Sequence, residues 1–197
     1  KWEVFRMKQT QKMVLAALFA AFCCVATMVI KFTPPGTIGY IHLGDALVLL
    51  SGIILGPVYG GLAAGIGSMM ADILSGYAMW APGTFLIKAI CAILAGWMFR
   101  KFKVIRKNNS FSLLKLIVLT LIPELFMVCA YFLYGSFLMF AITGDHKTMI
   151  AALSSSMTGI PANLVQGLVG IIIACLLVPI FLKISDIRAF MLQESKS

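Results

Sequence analysis

Apolar residues run almost unbroken over 12–32, 45–60, 62–80, 84–100, 111–142 and 149–183, and the stretches between these runs are short and marked by Pro, Gly or charge. A helix needs about 20 apolar residues to cross a hydrocarbon core of roughly 30 Å. The pattern therefore predicts an all-α membrane protein, residues 1–197 as one domain, built as a bundle of six transmembrane helices. The second run is short, whereas the fifth and sixth are long enough to tilt or to begin with an interfacial turn. The first is not expected to be a cleaved signal peptide, because the run is too long and no small-x-small site precedes Pro34. Met7 is a candidate native start, which makes KWEVFR, residues 1–6, a candidate remnant.

Composition agrees with the pattern. With 61% hydrophobic and 12% charged residues, a soluble globular domain is excluded. The net charge of +9 raises nucleic acid as a partner, but the placement of the charge argues against it. Thirteen of the sixteen Lys and Arg fall at the N-terminus, in the 100–115 connection and at the C-terminus, which six spans put on one side. By the positive-inside rule both termini are then cytoplasmic, and the 31–44, 75–83 and 143–148 connections face outward.

The five cysteines, Cys23, Cys24, Cys91, Cys129 and Cys175, lie within the runs at no metal-like spacing and read as buried small apolar residues. Two histidines, His42 and His146, are too few for a haem or zinc-hydrolase site, so no metal, cofactor or catalytic group is expected and the protein is not expected to be an enzyme. No G-x-x-x-x-G-K-S/T motif occurs, so the chain has no P-loop with which to hydrolyse ATP.

Gly52, Gly56 and Gly60 recur every fourth residue, as do Gly61 and Gly65, a spacing that lets membrane helices approach closely. Gly56-Pro57 and Gly60-Gly61 are expected to bracket a tight turn. The same small-residue spacing in the first run, Ala16-x-x-x-Ala20 and Ala17-x-x-x-Ala21, suits either an internal contact or a partner protein.

Ionisable residues at membrane depth each cost several kcal/mol unless paired or facing a polar cavity. There are four: Asp45, Asp72, Lys88 and Glu124. Asp72 and Lys88 flank the turn near residue 80 at equal distances and are predicted to pair, either structurally or as a pair that a ligand rearranges. Asp45 follows Gly44 at the start of the second helix, where helix capping is favoured over substrate contact.

Glu124 shares a helix face with Met127, Tyr131 and Tyr134, and Asn163 and Gln166 put two amides on one face of the sixth helix. With Tyr77, Trp80 and Lys88 these residues converge on the outer half of the bundle. The constellation predicts an outward-opening pocket for a small, planar, polar molecule, its ring stacked on aromatic faces and its edge read by amides and charges.

The motifs G-Y-I-x-L-G-D-A (Gly39 to Ala46), L-G-P-x-x-G-G (Leu55 to Gly61), G-x-x-x-A-D-x-L-S-G-Y (Gly67 to Tyr77), A-P-G-T (Ala81 to Thr84) and I-K-A (Ile87 to Ala89) resemble the substrate-binding S components of energy-coupling factor (ECF) transporters, the bacterial vitamin importers. The resemblance implies a multi-pass protein of the bacterial cell membrane that binds a vitamin at its outer end. It also implies a transmembrane coupling subunit and two ATPase subunits as partners, which accounts for the missing P-loop. On that pattern Ala16, Ala17, Ala20 and Ala21 form the coupling-subunit contact, the 31–44 segment is a lid, and Tyr40 joins the substrate-binding residues. The G-Y-I-x-L-G-D group goes with riboflavin-type members, and related members carry pyridoxine, a hydroxymethylpyrimidine, pantothenate or folate. One lysine, one glutamate and amides suit a pyridoxine- or hydroxymethylpyrimidine-sized ring, with riboflavin next. Two other classes stay open: a stand-alone carrier driven by an ion gradient through Asp72, Lys88 or Glu124, and a scaffold without a ligand.

Overall fold

The computed structural model describes residues 9–29, 31–32, 41–105, 111–143 and 146–193. Helix α1 (Gln9–Val29) leads into a short antiparallel ribbon, β1 (Lys31–Phe32) with β2 (Ile41–His42), in which Lys31 pairs with His42 and Phe32 with Ile41. There follow α2 (Gly44–Leu55), α3 (Pro57–Leu74), α4 (Ala81–Lys101), α5 (Leu113–Thr143), α6 (His146–Met157), α7 (Gly159–Phe181) and α8 (Ser185–Gln193).

Among the described residues, Gln9–Val29, Ala81–Lys101, Leu113–Ala141 and Leu153–Phe181 are long and apolar enough to cross a membrane, and Gly44–Leu55 is a shorter apolar helix. The six apolar runs thus each become helix, with three local differences. The turn after the second run is narrower than expected. Gly56, at φ +90°, ends α2 and Pro57 begins α3 at once, so Gly60 and Gly61 lie inside α3 rather than in the turn. The sixth run is broken at Thr158 into α6 and α7, because Pro161 has no N–H to continue the ladder across the junction. Finally, α8 follows α7 beyond the end of the sixth run.

The shortest of the apolar helices is the most central. Every residue of α2 except Leu47 is buried, enclosed by α1, α3, α4 and α7. Its contact with α4 is a backbone contact: a Cβ on Gly52 would meet the Ala92 carbonyl, and a Cβ on Gly96 would meet the carbonyl of Gly52. Arg100 fastens the same crossing, its Nη1 donating to Gly96 O at 2.8 Å and to Gly52 O at 3.2 Å. Leu49, Leu50 and Ile53 share one core cluster with Phe99 and Val178 and with Phe190 and Met191 of α8. Because lipid is as apolar as these side chains, such close packing, more than burial from water, holds the helices together.

Helix α1 is peripheral, with only Cys23 and Thr27 buried. Ala16 and Ala20 are half-buried against the core, and the Ala20 carbonyl lies where a Cβ on Gly67 of α3 would be; Ala17 and Ala21 are exposed. The cysteines divide similarly. Cys23 and Cys91 are buried as expected, whereas Cys24 and Cys175 are half-buried and Cys129 is exposed on the outer face of α5.

Candidate functional site

At the ribbon end of the bundle a pocket encloses about 810 Å³ of empty space, its open mouth included. One wall starts from the end of α3. Gly76 takes φ +85°, its N–H bonding Ile73 O at 3.2 Å, and Tyr77 N–H reaches back to Asp72 O at 2.8 Å, which satisfies the last carbonyls of the helix. This reversal carries Tyr77 and Trp80 into the lining beside Asp72, and Thr84 follows one turn into α4.

The aromatic surface is a joint product of this turn and α5. The Trp80 ring lies 6.3 Å from that of Tyr131 at 46°, and 5.8 Å from that of Tyr134 at 68°, offset and edge-on arrangements that aromatic quadrupoles favour. Tyr131 OH donates to Thr84 Oγ1 at 3.2 Å and Tyr134 OH to Met79 O at 2.9 Å, so both rings are held from two ends. Gly135 makes room at the same place: a Cβ there would come within 3.1 Å of Trp80 and 3.2 Å of Ser156 Oγ. Opposite lie the hydroxyls of Ser155 and Ser156 from α6 and the amides of Asn163 and Gln166 from α7, with His42 from β2.

Beneath the lining is a buried polar cluster. Lys88 Nζ bonds Asp45 Oδ1, both residues being 1% exposed, and Gln166 Nε2 donates to Asp45 Oδ2 at 2.6 Å. Gln166 Oε1 in turn accepts the His42 backbone N–H at 3.1 Å, and His42 Nδ1 accepts the Gly44 N–H at 3.0 Å. The Lys88 ammonium also sits 5.2 Å from the centre of the Tyr131 ring. These bonds join α2, α4, α7 and β2 directly under the pocket.

Of the residues expected to contact substrate, Tyr77, Trp80, Tyr131, Asn163 and Gln166 are in the lining. Lys88 and Glu124 are not; both are buried deeper, and a Cβ on Gly167 would lie 3.0 Å from Glu124 Oε2. Tyr40 and most of the 31–44 segment fall outside the described residues. Two expected roles are corrected. Lys88 pairs with Asp45, not Asp72, although Asp72 does face the pocket. Asp45 does not cap α2, since it lies one residue inside the helix with its carboxylate committed to Lys88 and Gln166. Sequence reading missed His42, Thr84, Ser155 and Ser156. Ser154-Ser155-Ser156 in an apolar run was the available signal for the last two, and it is a weak one. Among the described residues no group of His, Cys, Asp or Glu is placed to hold a metal ion.

Comparison with known proteins gives this geometry a context. A family model described as ECF-type riboflavin transporter, S component, matches residues 7–183. An uncharacterized protein in a gap 3'region of Pyrococcus woesei is 38% identical over 73 residues, 37% of this chain and 49% of that protein, so the chain spans about half the length of this curated relative. Among solved structures, the S component of a bacterial ECF transporter superposes with a TM-score of 0.67 at 22% identity, covering 89% of this chain and 98% of that one. An S component for biotin from an ECF-type ABC transporter gives 0.60 at 19% identity, covering 88% and 95%. At such identities the two structures share the fold.

Proposed function

The chain belongs to the ECF-type riboflavin transporter S component family, and from that membership we propose that it is the vitamin-binding membrane subunit of an ATP-driven importer. The ligand is a small heteroaromatic vitamin or precursor, of pyridoxine or hydroxymethylpyrimidine size first and riboflavin next. The observation that carries this reading is the pocket: Trp80 and Tyr131 offer a surface for a flat ring, and Thr84, Ser156, Asn163 and Gln166 offer donors and acceptors for its edge. Tyr40, outside the described residues, is part of the same proposal as a further ligand contact.

Transport by this chain needs an energy source that it does not carry, since it contains no P-loop. A transmembrane coupling subunit and two ATPase subunits supply it. The exposed Ala17 and Ala21 of α1, with Ala16 and Ala20 half-buried behind them, form the surface for the coupling subunit. In this reading the chain crosses the cell membrane six times with both termini in the cytoplasm, an orientation that the distribution of basic residues favours. Uptake of labelled vitamin by cells producing this chain with and without the coupling and ATPase subunits tests the reading. Uptake only when all are present is expected.

A stand-alone carrier driven by an ion gradient is the alternative, and Glu124 favours it. This carboxyl is 4% exposed, and its Oε2 has no hydrogen-bond partner among the described residues, as a proton-carrying group would require in one of its states. That reading demands uptake without the ATPases and its loss in Glu124→Gln.

A further inference from the structure

Two aromatic rings at the pocket are each seated on a glycine of the other's helix. Trp80 stands immediately before α4 and Tyr134 lies in α5. A Cβ on Gly83 of α4 would run into the Tyr134 ring, and a Cβ on Gly135 of α5 would lie 3.1 Å from Cη2 of Trp80. The exchange is reciprocal, and both glycines are buried. Neither takes a positive φ, so the backbone does not call for glycine at either place. Glycine inside a helix is costly in backbone entropy, and alanine at a roomy position would stabilise both helices. What glycine supplies here is space for a ring.

The two seats serve different sides of the wall. Tyr134 is outside the pocket lining and is tied through its OH to Met79 O at 2.9 Å, so Gly83 secures the wall from behind. Trp80, Gly135 and Ser156 are all in the lining, and the same Cβ on Gly135 would come within 3.2 Å of Ser156 Oγ. On its α5 side the indole already meets the rings of Tyr131 and Tyr134, at 6.3 and 5.8 Å. A side chain at position 135 therefore drives the indole off α5 and across the pocket, into the space that a flat ring would fill. We infer that Gly135 is a specificity-determining residue: the missing side chain sets the clearance beside Trp80, and with it the size of ring system that the pocket admits. Gly83 is a positioning residue for the same wall. The inference rests on the importer reading above and assigns the size limit of that site to one position.

Calorimetric titration of the full-length protein in detergent with pyridoxine, hydroxymethylpyrimidine and riboflavin tests the proposal. The proteins compared are wild type, Gly135→Ala, Trp80→Phe and the double variant. Gly135→Ala is expected to weaken whichever vitamin binds the wild type at least about tenfold, and tricyclic riboflavin should lose more than a single ring where both bind. Trp80→Phe takes away the outer edge of the indole that the added methyl meets, and the Ser156 hydroxyl can rotate aside. The double variant should therefore bind within about threefold of Trp80→Phe alone, a non-additivity that a merely structural glycine would not produce. Should Gly135→Ala not fold, recovery of folded protein in the double variant supports the seat, and failure to recover overturns it. Wild-type affinity in Gly135→Ala, or an equal loss whether or not Trp80 is replaced, overturns the role of Gly135 and leaves the importer reading standing. A wild type that binds none of the three vitamins overturns the importer reading, and the size limit with it.

Discussion

The Gln166 carboxamide bridges two groups from different parts of the chain: its Nε2 donates to Asp45 Oδ2 at 2.6 Å, and its Oε1 accepts the His42 N–H at 3.1 Å. Gln166 is 2% exposed yet part of the pocket lining, so one side chain ties the pocket to the start of α2 and to the ribbon. Replacing it with Leu would strand a buried donor and a buried acceptor at about 1–3 kcal/mol each. Gln166→Leu is expected to lower the melting temperature in detergent and to weaken vitamin binding at least about tenfold. Unchanged calorimetry would remove Gln166 from the site.

The Asp45–Lys88 pair yields a second prediction, because removing one partner of a buried ion pair leaves an uncompensated charge, at about 3–5 kcal/mol. Asp45→Asn and Lys88→Met should each be strongly destabilising, whereas the double variant should lose much less than their sum. Thermal unfolding of the four proteins measures the coupling, and additive losses would mean that the pair is not a unit.

At the α2–α4 crossing the expected cost is steric. Gly52→Ala drives a methyl into the Ala92 carbonyl and disturbs the Arg100 bonds, whereas Gly76→Ala meets nothing within 4 Å and pays only for its left-handed backbone, about 1–2 kcal/mol. The yield of folded monodisperse protein should fall sharply for Gly52→Ala and slightly for Gly76→Ala. The reverse order would contradict the packing described here.

His42 makes stability depend on pH. Burial lowers its folded pKa from the ordinary imidazole value of 6.5 to about 4, so between these values the unfolded chain binds the proton and the folded one does not. The contribution is fully present above about pH 6.5 and declines as pH falls toward 4, by up to about 1.4 kcal/mol per pH unit. The melting temperature should be lower at pH 5 than at pH 7.5. His42→Asn, whose side-chain oxygen can still accept the Gly44 N–H, should flatten that difference.

Six apolar helices were legible because lipid demands long apolar runs, and Tyr77, Trp80, Tyr131, Asn163 and Gln166 were legible because polar and aromatic groups stand out within them. Pairing was not. Asp72 and Lys88 match in depth along α3 and α4, but depth says nothing about rotation, and the intervening α2 offers Asp45 to the ammonium. The same limit hid His42, which reaches the pocket through a ribbon of two-residue strands too short to leave a period in the sequence. Asp45 read as a cap because Gly-Asp before an apolar run is a capping pattern, and the bond from Gln166, 121 residues away, has no local trace.

Mass spectrometry of the small molecules released by denaturing the purified protein, wild type beside a Trp80→Ala/Asn163→Ala variant, shows whether the pocket holds a vitamin. A heteroaromatic vitamin or precursor, near one per chain in the wild type and absent from a variant that still purifies as a folded monomer, is the predicted result. Equal occupancy in both proteins, or an empty wild type that also binds no added vitamin, would contradict it.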